Sequence, residues 1–446
     1  VYKRQAYDGK YMAEVNMGYN GSENFAKGHR WGFFPSIALG YNISEESFFE
    51  PLRKVITSMK LRGSWGLVGN DQIGGERFIY MPTINLSGKG FTTGIDQNYG
   101  LSGPVYTRYE NNSITWEVGE KINLGIDLQL LNSLNIVVDI FRETRRDIFQ
   151  KKGTIPTYLG TGNTDVFGNL AEMKNQGLDL SIDYNKAFSK DFYMNFKGTF
   201  TYAHNEITKY DEAPKYAFQS KVGQSANVSQ GYLSNGLFLD EAEIDRYNQQ
   251  MGSTLGAGDI KYLNVSNMHG YGDDIVDVDD WTWIGNPTVP EIVYGFGPSF
   301  KYKNWDFSFF FQGVAKTSLF MSGFHPFGDN SLRNVLQFVA NDRWSPTNQN
   351  VDAKYPRLTR KTSLNNTNPG NSGRTSDYWM RDGSFLKLKN MELGYTFKRM
   401  RFYISGSNLL TFSKFDLWDP EQGGGSGLKY PTQRVFNVGF QMTFNN

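Results

Sequence analysis

The last strand, Val435 to Phe444, decides the fold, and it reads V-F-N-V-G-F-Q-M-T-F. From its second position onward, apolar residues alternate with polar or small ones. The apolar face carries Phe436, Val438, Phe440, Met442 and Phe444, and the opposite face carries Asn437, Gly439, Gln441 and Thr443. A period of two indicates a β-strand with one apolar face. Aromatic residues up to the end of so long a strand are typical of a transmembrane β-barrel, whose outer face contacts lipid and whose inner face contacts water.

Composition agrees with an all-β chain. The 446 residues include 48 Gly, 34 Phe, 26 Tyr and 9 Trp, which favour turns and half-buried strands. The 46 basic and 45 acidic side chains nearly cancel, so no global field favours nucleic-acid binding. Cysteine is absent, which excludes disulfides, thiolate metal sites and cysteine nucleophiles and fits an exported protein.

Hydropathy excludes a spanning helix, because no apolar run approaches the roughly 18 residues that such a helix needs. Barrel strands need only about 9 to 11 residues each, and half of these face the lumen, so a barrel escapes this test. The chain begins with Val1 rather than Met and carries no signal peptide, from which we expect a mature or truncated piece. Residues 1–5 are a candidate non-native leader, and residues 6–446 are predicted to form a partial β-barrel.

Period-two patterning predicts twelve strands. They lie near residues 10–20, 31–43, 58–68, 114–130, 134–148, 177–186, 191–204, 290–302, 304–314, 384–397, 400–409 and 434–444. Tight links alternate with long connections, which cover residues 69–113, 149–176, 205–289, 315–383 and 410–433. Outer-membrane barrels alternate short periplasmic turns with long extracellular loops, whereas a β-sandwich has no reason to do so. We expect the five long connections to be extracellular; a moderately long link at 44–57 is the exception on the periplasmic side.

The strand at 384–397 changes phase in its middle. Leu386 and Leu388 share one face, whereas Met391, Leu393, Tyr395 and Phe397 would fall on the other. One extra residue near Lys389 and Asn390 restores the phase, so a β-bulge is predicted there. The alternative is that the strand simply ends at this point.

Several segments, taken together and in order, resemble the C-terminal barrel of SusC/RagA-type TonB-linked outer-membrane proteins. They are Tyr7-Asp8-Gly9-Lys10-Tyr11, Arg30-Trp31-Gly32-Phe33-Phe34-Pro35-Ser36, Gly40-Tyr41-Asn42-Ile43-Ser44, Leu61-Arg62-Gly63-Ser64-Trp65-Gly66, Gly69-Asn70-Asp71, Phe385-Leu386-Lys387-Leu388-Lys389-Asn390, Leu393-Gly394-Tyr395-Thr396-Phe397, Ser407-Asn408-Leu409 and Asp419-Pro420-Glu421. The resemblance runs from about Tyr7 to Phe444. It implies a nutrient importer of the Gram-negative outer membrane, in Bacteroidetes.

The resemblance also implies what this stretch lacks. Such receptors are plugged barrels of 22 strands, so the twelve predicted strands would be the C-terminal part of one, without its plug domain. The implied partners are a SusD-like surface lipoprotein, TonB acting through the N-terminal plug, the barrel-assembly machinery and outer-membrane lipid. An open twelve-stranded sheet would leave two unpaired edges in the bilayer, so we expect a fragment.

The final strand also resembles the signal that the barrel-assembly machinery reads, through Asn437, Gly439, Met442 and Phe444. Two residues follow the terminal aromatic residue here, whereas the family usually stops at it. The alternative is an ordinary amphipathic strand.

Aromatic residues of the long connections are the candidates for substrate contact, because flat rings stack on sugar faces. They are Tyr106, Tyr109, Trp281, Trp283, Trp344, Tyr378 and Trp379. The alternative role of each is packing within the loops or at the membrane interface. The cargo stays open between oligosaccharides and peptides.

An acidic stretch is the single metal hypothesis. Five carboxylates fall within eight positions, and hard oxygen ligands at this density suit calcium. They are Asp273, Asp274, Asp277, Asp279 and Asp280. The spacing does not fit an EF-hand, relatives in the resembled family carry a cleaner aspartate run, and a solvated acidic loop is the alternative. No cofactor is otherwise required.

A catalytic role is not expected. The four histidines, His29, His204, His269 and His325, lie apart, and no Ser-His-acid or metal motif joins them. His204 and Ser181 fall on predicted neighbouring strands but at opposite phases. We therefore predict an importer rather than an enzyme; the alternatives are a TonB-dependent siderophore or cobalamin receptor and a secreted β-rich carbohydrate-binding protein.

Overall fold

The structure is a computed structural model that describes residues 2–156, 165–247, 249–250, 255–327, 332–360, 366 and 375–444. Parts of the predicted connections 149–176, 205–289 and 315–383 therefore lie outside the described residues. Val1, Asn445 and Asn446 lie outside them too.

Thirteen antiparallel strands form the main sheet. In the order in which they pair, they are β1 (Tyr2–Tyr7), β2 (Tyr11–Gly21), β3 (Trp31–Asn42), β4 (Ile56–Asn70), β7 (Glu117–Leu130), β8 (Leu134–Lys151), β9 (Phe167–Ala187), β10 (Phe192–Lys209), β17 (Ile292–Tyr302), β18 (Trp305–Ala315), β21 (Phe385–Phe397), β22 (Met400–Ser413) and β23 (Val435–Met442). The order follows the chain, as in an up-and-down barrel, in which every connection joins neighbouring strands.

The connections hold short elements. Paired strands are β5 (Thr83–Thr93) with β6 (Tyr99–Arg108), β11 (Ser229–Gly231) with β16 (Thr282–Ile284), β12 (Ser234–Leu237) with β14 (Ile260–Tyr262), β13 (Gln249–Gln250) with β15 (Ile275–Val276), and β19 (Ser318–Phe320) with β20 (Met380–Asp382). The α-helices are α1 (Glu241–Arg246), α2 (Val265–Met268) and α3 (Gln337–Asn341). Short 3-10 helices occupy Ile43–Glu45, Ser47–Leu52, Ala217–Gln219, Val278–Asp280, Asp377–Trp379 and Pro420–Gln422. Within the described part of the chain, no helix has the length and apolarity needed to cross a membrane.

All twelve predicted strands are present in the main sheet, with ends that differ by at most five residues except in β9, which begins ten residues before its predicted start. Strand β1 was not predicted, because its sequence Tyr-Lys-Arg-Gln-Ala-Tyr is short and mostly polar; it pairs with β2 from Tyr2 opposite Asn16 to Tyr7 opposite Tyr11. That residues 1–5 are not native stays a prediction. The hairpin formed by β5 and β6 was also missed, since residues 69–113 were predicted as a loop.

Alternating side chains build the exposed apolar face of the sheet. On β18, Trp305, Phe307, Phe309 and Phe311 occupy every second position, and each lies opposite an apolar residue of β21. The rings of Trp305 and Tyr395 lie 4.7 Å apart between centroids. Such cross-strand aromatic pairs stabilise neighbouring strands beyond their hydrogen bonds.

The predicted β-bulge is confirmed at Lys389. Against β18, Phe311 pairs with Leu388 and Phe310 pairs with Asn390, so that Lys389 has no partner of its own in the register. The pairing of β21 with β22 shifts at the same place, between Leu388 and Asn390. Leu388 and Met391 therefore both lie opposite the apolar face of β18, although three positions separate them.

Contacts divide the chain into two units. Unit 1 comprises residues 1–184, 201–214 and 220–226, and unit 2 comprises residues 185–200, 215–219 and 227–446. The buried cluster of unit 1 consists of Phe25, Ile73, Ile79, Ile114 and Trp116. It lies where the connection between β2 and β3 and the connection between β4 and β7 pack together.

Candidate transport site

The long connections of unit 2 pack around one hydrophobic core, which we call the loop core. Its buried members are Tyr232, Leu237, Ile260, Tyr262, Val276, Leu319, Met321, Phe324, Phe327, Val339, Trp344, Ala353, Tyr355, Trp379 and Phe415. They come from the connections after β10, after β18 and after β22. Burial raises the pKa of Tyr355 to about 12, as expected in a dry interior. These connections are therefore a packed layer.

A buried ion pair joins two of these connections. The Asp259 side chain is fully buried, and Arg357 donates to it from Nε and, at 3.0 Å, from Nη2. Asn366 Nδ2 donates to the same carboxylate at 2.6 Å. Because a buried carboxylate is costly unless its lone pairs are satisfied, these contacts hold the two connections in one arrangement.

A second group of charges ties the last connection to the main sheet. Lys387 of β21 is 1% exposed, and its ammonium binds Asp419 and, at 2.9 Å, Glu421. Lys389, the bulge residue, donates to Glu421 at 2.6 Å. We call these four residues the lysine–carboxylate cluster. Burial alone would raise the pKa of Asp419, but the hydrogen bond from Lys387 lowers it below its ordinary value.

This cluster explains two of the sequence motifs. The segments Phe385 to Asn390 and Asp419 to Glu421 carried the family resemblance separately, and the structure places them in contact. Sequence reasoning did not find the contact, because about thirty residues separate the two segments. One motif carries lysines and the other carries acidic residues, and this difference in charge was the signal that could have indicated the contact.

A cavity of about 800 Å³ lies beside the cluster. Its walls come from the ends of β18 and β21, from residues 317–322, from residues 288–290 and from residues 420–425. Gln312 and Val314 of β18 line it, on the face of that strand opposite Phe309 and Phe311. In a barrel this is the face that contacts water. A pocket of this size holds a small ligand.

Three of the predicted substrate-contact residues belong to the loop core. Trp379 is fully buried and Trp344 is 5% exposed. Tyr378 packs against the same core, and its hydroxyl donates to the carbonyl oxygen of Ala353 at 2.7 Å. The indole nitrogens of Trp344 and Trp379 are buried without a hydrogen-bond partner among the described residues. The positions of these three residues agree with loop packing, which is the alternative role stated for each of them.

The other predicted aromatic residues lie near the surface. Tyr106 and Tyr109, in unit 1, stack with centroids 5.5 Å apart and are 50% and 39% exposed. In unit 2, Trp281 stacks on Tyr232 at 6.2 Å and is 41% exposed, and Trp283 lies half-buried in β16. Three of the seven residues are therefore buried and four are exposed or half-buried, and substrate contact by any of them stays a prediction.

Four of the five aspartates, all but Asp274, are held by hydrogen bonds or an ion pair in the surrounding connection. Asp280 is fully buried and accepts hydrogen bonds from the backbone of Ser266 at 2.9 Å and of Asp277 at 2.8 Å. Burial raises its pKa. Asp273 accepts from Asn264 at 3.0 Å, and Asp277 caps the turn at Val278–Asp280.

The remaining contacts of the acidic stretch also point away from a shared ion. Asp279 pairs with Lys215. No described group of three His, Cys, Asp or Glu side chains is placed to hold a metal ion. The arrangement does not fit a calcium ion, so calcium stays a prediction from sequence that these contacts do not support.

The predicted assembly signal lies on β23. Asn437, Gly439 and Met442 pair with Ser405, Tyr403 and Met400 of β22, and Phe444 follows the strand with 78% exposure. Gly439 has a packing role that sequence did not reveal: a Cβ atom there would lie 2.1 Å from Cζ of Tyr403. Recognition of the strand by the assembly machinery stays a prediction.

Three of the histidine and serine residues considered for catalysis have the following places in the fold. Ser181 is in β9 and His204 is in β10, both in unit 1. In unit 2, His269 stacks on Phe218 at 4.6 Å.

Comparison with known proteins identifies the sheet. Residues 4–409 match the family described as TonB dependent receptor-like, beta-barrel. The chain belongs to this family. Family membership places it in the outer membrane as an antiparallel β-barrel chain of the SusC/RagA type.

Individual relatives agree. The chain is 26% identical to TonB-dependent receptor P3 of Formosa agariphila over 98% of its own length and 44% of the relative. It is 27% identical to TonB-dependent receptor SusC of Bacteroides thetaiotaomicron over 98% of its own length and 42% of the relative. The chain thus spans less than half the length of these relatives. Among solved structures, the RagAB peptide transporter matches 99% of the chain and 47% of its own with a TM-score of 0.72 at 21% identity, a likeness of fold.

Proposed function

We propose that this chain is the barrel portion of a TonB-dependent importer that takes up oligosaccharides or peptides. The observation that carries the proposal is the family match, which extends over residues 4–409. The relatives' names support it, because they are those of receptors and of a peptide transporter. They also favour an importer over an enzyme.

The barrel wall and the plug domain have different roles in the proposed importer. The chain supplies wall strands and long connections, and a plug domain driven by TonB supplies the energy and the gate. We expect a chain consisting of these residues alone to form no selective pore in liposomes, since a wall without its plug and remaining strands has nothing to gate. Insertion requires the barrel-assembly machinery and outer-membrane lipid.

A SusD-like surface lipoprotein is the proposed lid. The loop core supports this, because connections that are packed together present a fixed surface to a partner, whereas separate mobile loops would have to be ordered on binding at an entropic cost. The names SusC and RagAB among the similar proteins also support a lid of this kind.

Deletion of the complete gene in its own host tests the proposal. We expect slower growth on one oligosaccharide or peptide source and unchanged growth with limiting ferric siderophore or cobalamin. An affinity tag on the complete receptor should co-purify a surface lipoprotein. Loss of growth only under iron or cobalamin limitation would instead establish the siderophore or cobalamin receptor.

A further inference from the structure

A groove of about 640 Å³ lies on the apolar face of the main sheet in unit 1, across β1 to β4 and β7. Ala13 and Gly63 lie on either side of Leu39 in neighbouring strands and bring almost no side chain to this face, so the surface is depressed there. The borders are formed by the exposed side chains of Tyr7, Tyr11, Leu39, Leu61 and Leu124. Outer-membrane barrels turn their apolar face to lipid, so the groove opens on the bilayer.

Polar and charged side chains border the groove where β1 turns into β2. The rings of Tyr11 and Tyr41 stack with centroids 5.1 Å apart, and their hydroxyl groups donate to Glu46 Oε1 at 2.8 and 3.3 Å. Lys10 donates to Glu46 Oε2 at 3.3 Å, and its ammonium lies 3.6 Å from the carboxylate of Asp8, which is 69% exposed. We call Asp8, Lys10 and Glu46 the rim charges.

The rim charges lie at the level of lipid headgroups. A tight turn joins β1 to β2, closed by the hydrogen bond from the backbone of Lys10 to that of Tyr7, and tight turns of outer-membrane barrels face the periplasm. Ala13 follows Lys10 by three residues, which is about 10 Å along a strand. The groove therefore lies beside the acyl chains of the periplasmic leaflet, next to the headgroups.

Hydrocarbon is the ligand that the groove suits. Lipid tails are as apolar as leucine side chains, so burial alone does not drive a tail into the groove. Dispersion favours it, because a chain in a depression meets protein atoms on several sides, whereas a chain on a smooth wall meets them on one.

The rim charges favour a headgroup that carries both signs of charge. The ammonium of Lys10 can bind a phosphate, and the exposed carboxylate of Asp8 can bind an amine. Two carboxylates against one ammonium disfavour a headgroup with a net negative charge. The remaining charges of the link between β3 and β4 cancel; they are Glu45, Glu50, Arg53 and Lys54.

We infer that the groove and the rim charges together bind one molecule of phosphatidylethanolamine from the periplasmic leaflet. An acyl chain lies over Ala13 and Gly63, the phosphate lies beside Lys10, and the ammonium group lies beside Asp8. Phosphatidylglycerol would bring a neutral glycerol to Asp8 and would leave that carboxylate without a cation from the lipid. The inference needs the outer-membrane location alone and is independent of the cargo.

Lipid retention by the complete receptor tests the inference. The receptor is placed in nanodiscs of equal parts of phosphatidylethanolamine and phosphatidylglycerol, and native mass spectrometry measures which lipid stays bound on release. We expect one phosphatidylethanolamine to be retained in preference to phosphatidylglycerol. Ala13→Leu should fill the groove and lower retention about tenfold, because the leucine replaces contacts of the acyl chain. Asp8→Asn should lower the preference for phosphatidylethanolamine about threefold to fivefold, as for an exposed charge pair.

Val15→Leu is the matched control, since Val15 lies on the same face of β2 but outside the groove. It should leave retention unchanged. Gly63→Leu fills the groove from another strand and replaces Ala13→Leu if that variant does not fold, which gel mobility before and after heating reports. Absence of a retained lipid, retention that the groove-filling variant does not lower, or a preference for phosphatidylglycerol would overturn the inference.

Discussion

Arg62 binds Asp139 across an intervening strand. Nη1 and Nη2 of Arg62, on β4, donate to the carboxylate of Asp139, on β8, at 2.6 and 2.5 Å. The strand between them, β7, carries Gly125 at this level. A Cβ atom on Gly125 would lie 2.6 Å from Cζ of Arg62, so the ion pair requires glycine there.

Gly125→Ala should therefore weaken this ion pair and destabilise the barrel by about 1 kcal/mol or less, because the atoms that the methyl group would meet are the ends of flexible side chains. The added methyl group must displace the guanidinium or the carboxylate. The unfolding midpoint in urea, followed by gel mobility, measures this. Gly18→Ala is the control, because the nearest atom to its Cβ would lie at an ordinary 3.5 Å; equal effects of the two substitutions would contradict the prediction.

Gly439 allows a test of the assembly signal against packing. Gly439→Ala should lower the yield of folded barrel, because the methyl group would overlap the ring of Tyr403. If packing is the cause, adding Tyr403→Ala should restore most of the yield. Failure of the double variant to recover would favour recognition of Gly439 by the assembly machinery.

Lys387→Met should release the last connection from the sheet. Removing the buried ammonium leaves Asp419 without a cation and Glu421 with Lys389 alone, which costs about 3 kcal/mol, or roughly a hundredfold in local opening. Hydrogen exchange of residues 414–434 measures this. Lys389→Met is the matched control: its side chain is 22% exposed and contacts Glu421 alone, so its effect should be about 1 kcal/mol or less.

Acidic pH should also release the last connection, residues 414–434, from the main sheet. The pKa values of Asp419 and Glu421 lie below their ordinary values in the folded state, because their hydrogen bonds from the lysines outweigh burial. Their stabilising contribution is complete above the unfolded values of about 4 and is lost as the pH falls through the lower folded values. A spin label at Leu428→Cys, an exposed position in a chain without cysteine, should become more mobile below about pH 4. Unchanged mobility down to pH 2 would refute this.

Substitution of Trp379 should lower the stability of the loop core, whereas substitution of Tyr106 should not. Trp379→Ala should cost about 3 to 5 kcal/mol in the stability of the loop core, as for other buried aromatic residues. Tyr106→Ala should leave stability nearly unchanged, because half of that side chain is exposed. Protease resistance of the loops and substrate affinity separate the two effects; a stable loop core in Trp379→Ala would contradict the packing role.

The main sheet was predictable because its signal is local. Each strand shows its own period of two, and the phase change around Lys389 was visible within fourteen residues. The signal was weakest in β1, where Tyr2–Tyr7 offers a polar sequence and no apolar face.

The connections were not predictable in the same way. The loop core gathers residues that lie more than a hundred positions apart in the chain, such as Tyr232 and Trp379, and no periodicity marks them. The sequence accordingly left Trp344 and Trp379 open between substrate contact and loop packing, and both are buried. Aspartates that are close in sequence suggested a shared ion, whereas four of them are committed to hydrogen bonds or an ion pair with neighbouring residues.

The bulge at Lys389 is one extra residue in a strand that otherwise alternates. Substitution at this position should cost little beyond one surface ion pair, since the register does not depend on the side chain. Loss of its codon should also be tolerated, because Leu388 and Asn390 already occupy successive places opposite Phe311 and Phe310. The residues on both sides would keep their faces, whereas a residue inserted after Met391 would turn the apolar residues beyond it toward water. Genetic variation at this site should therefore include single-residue deletions.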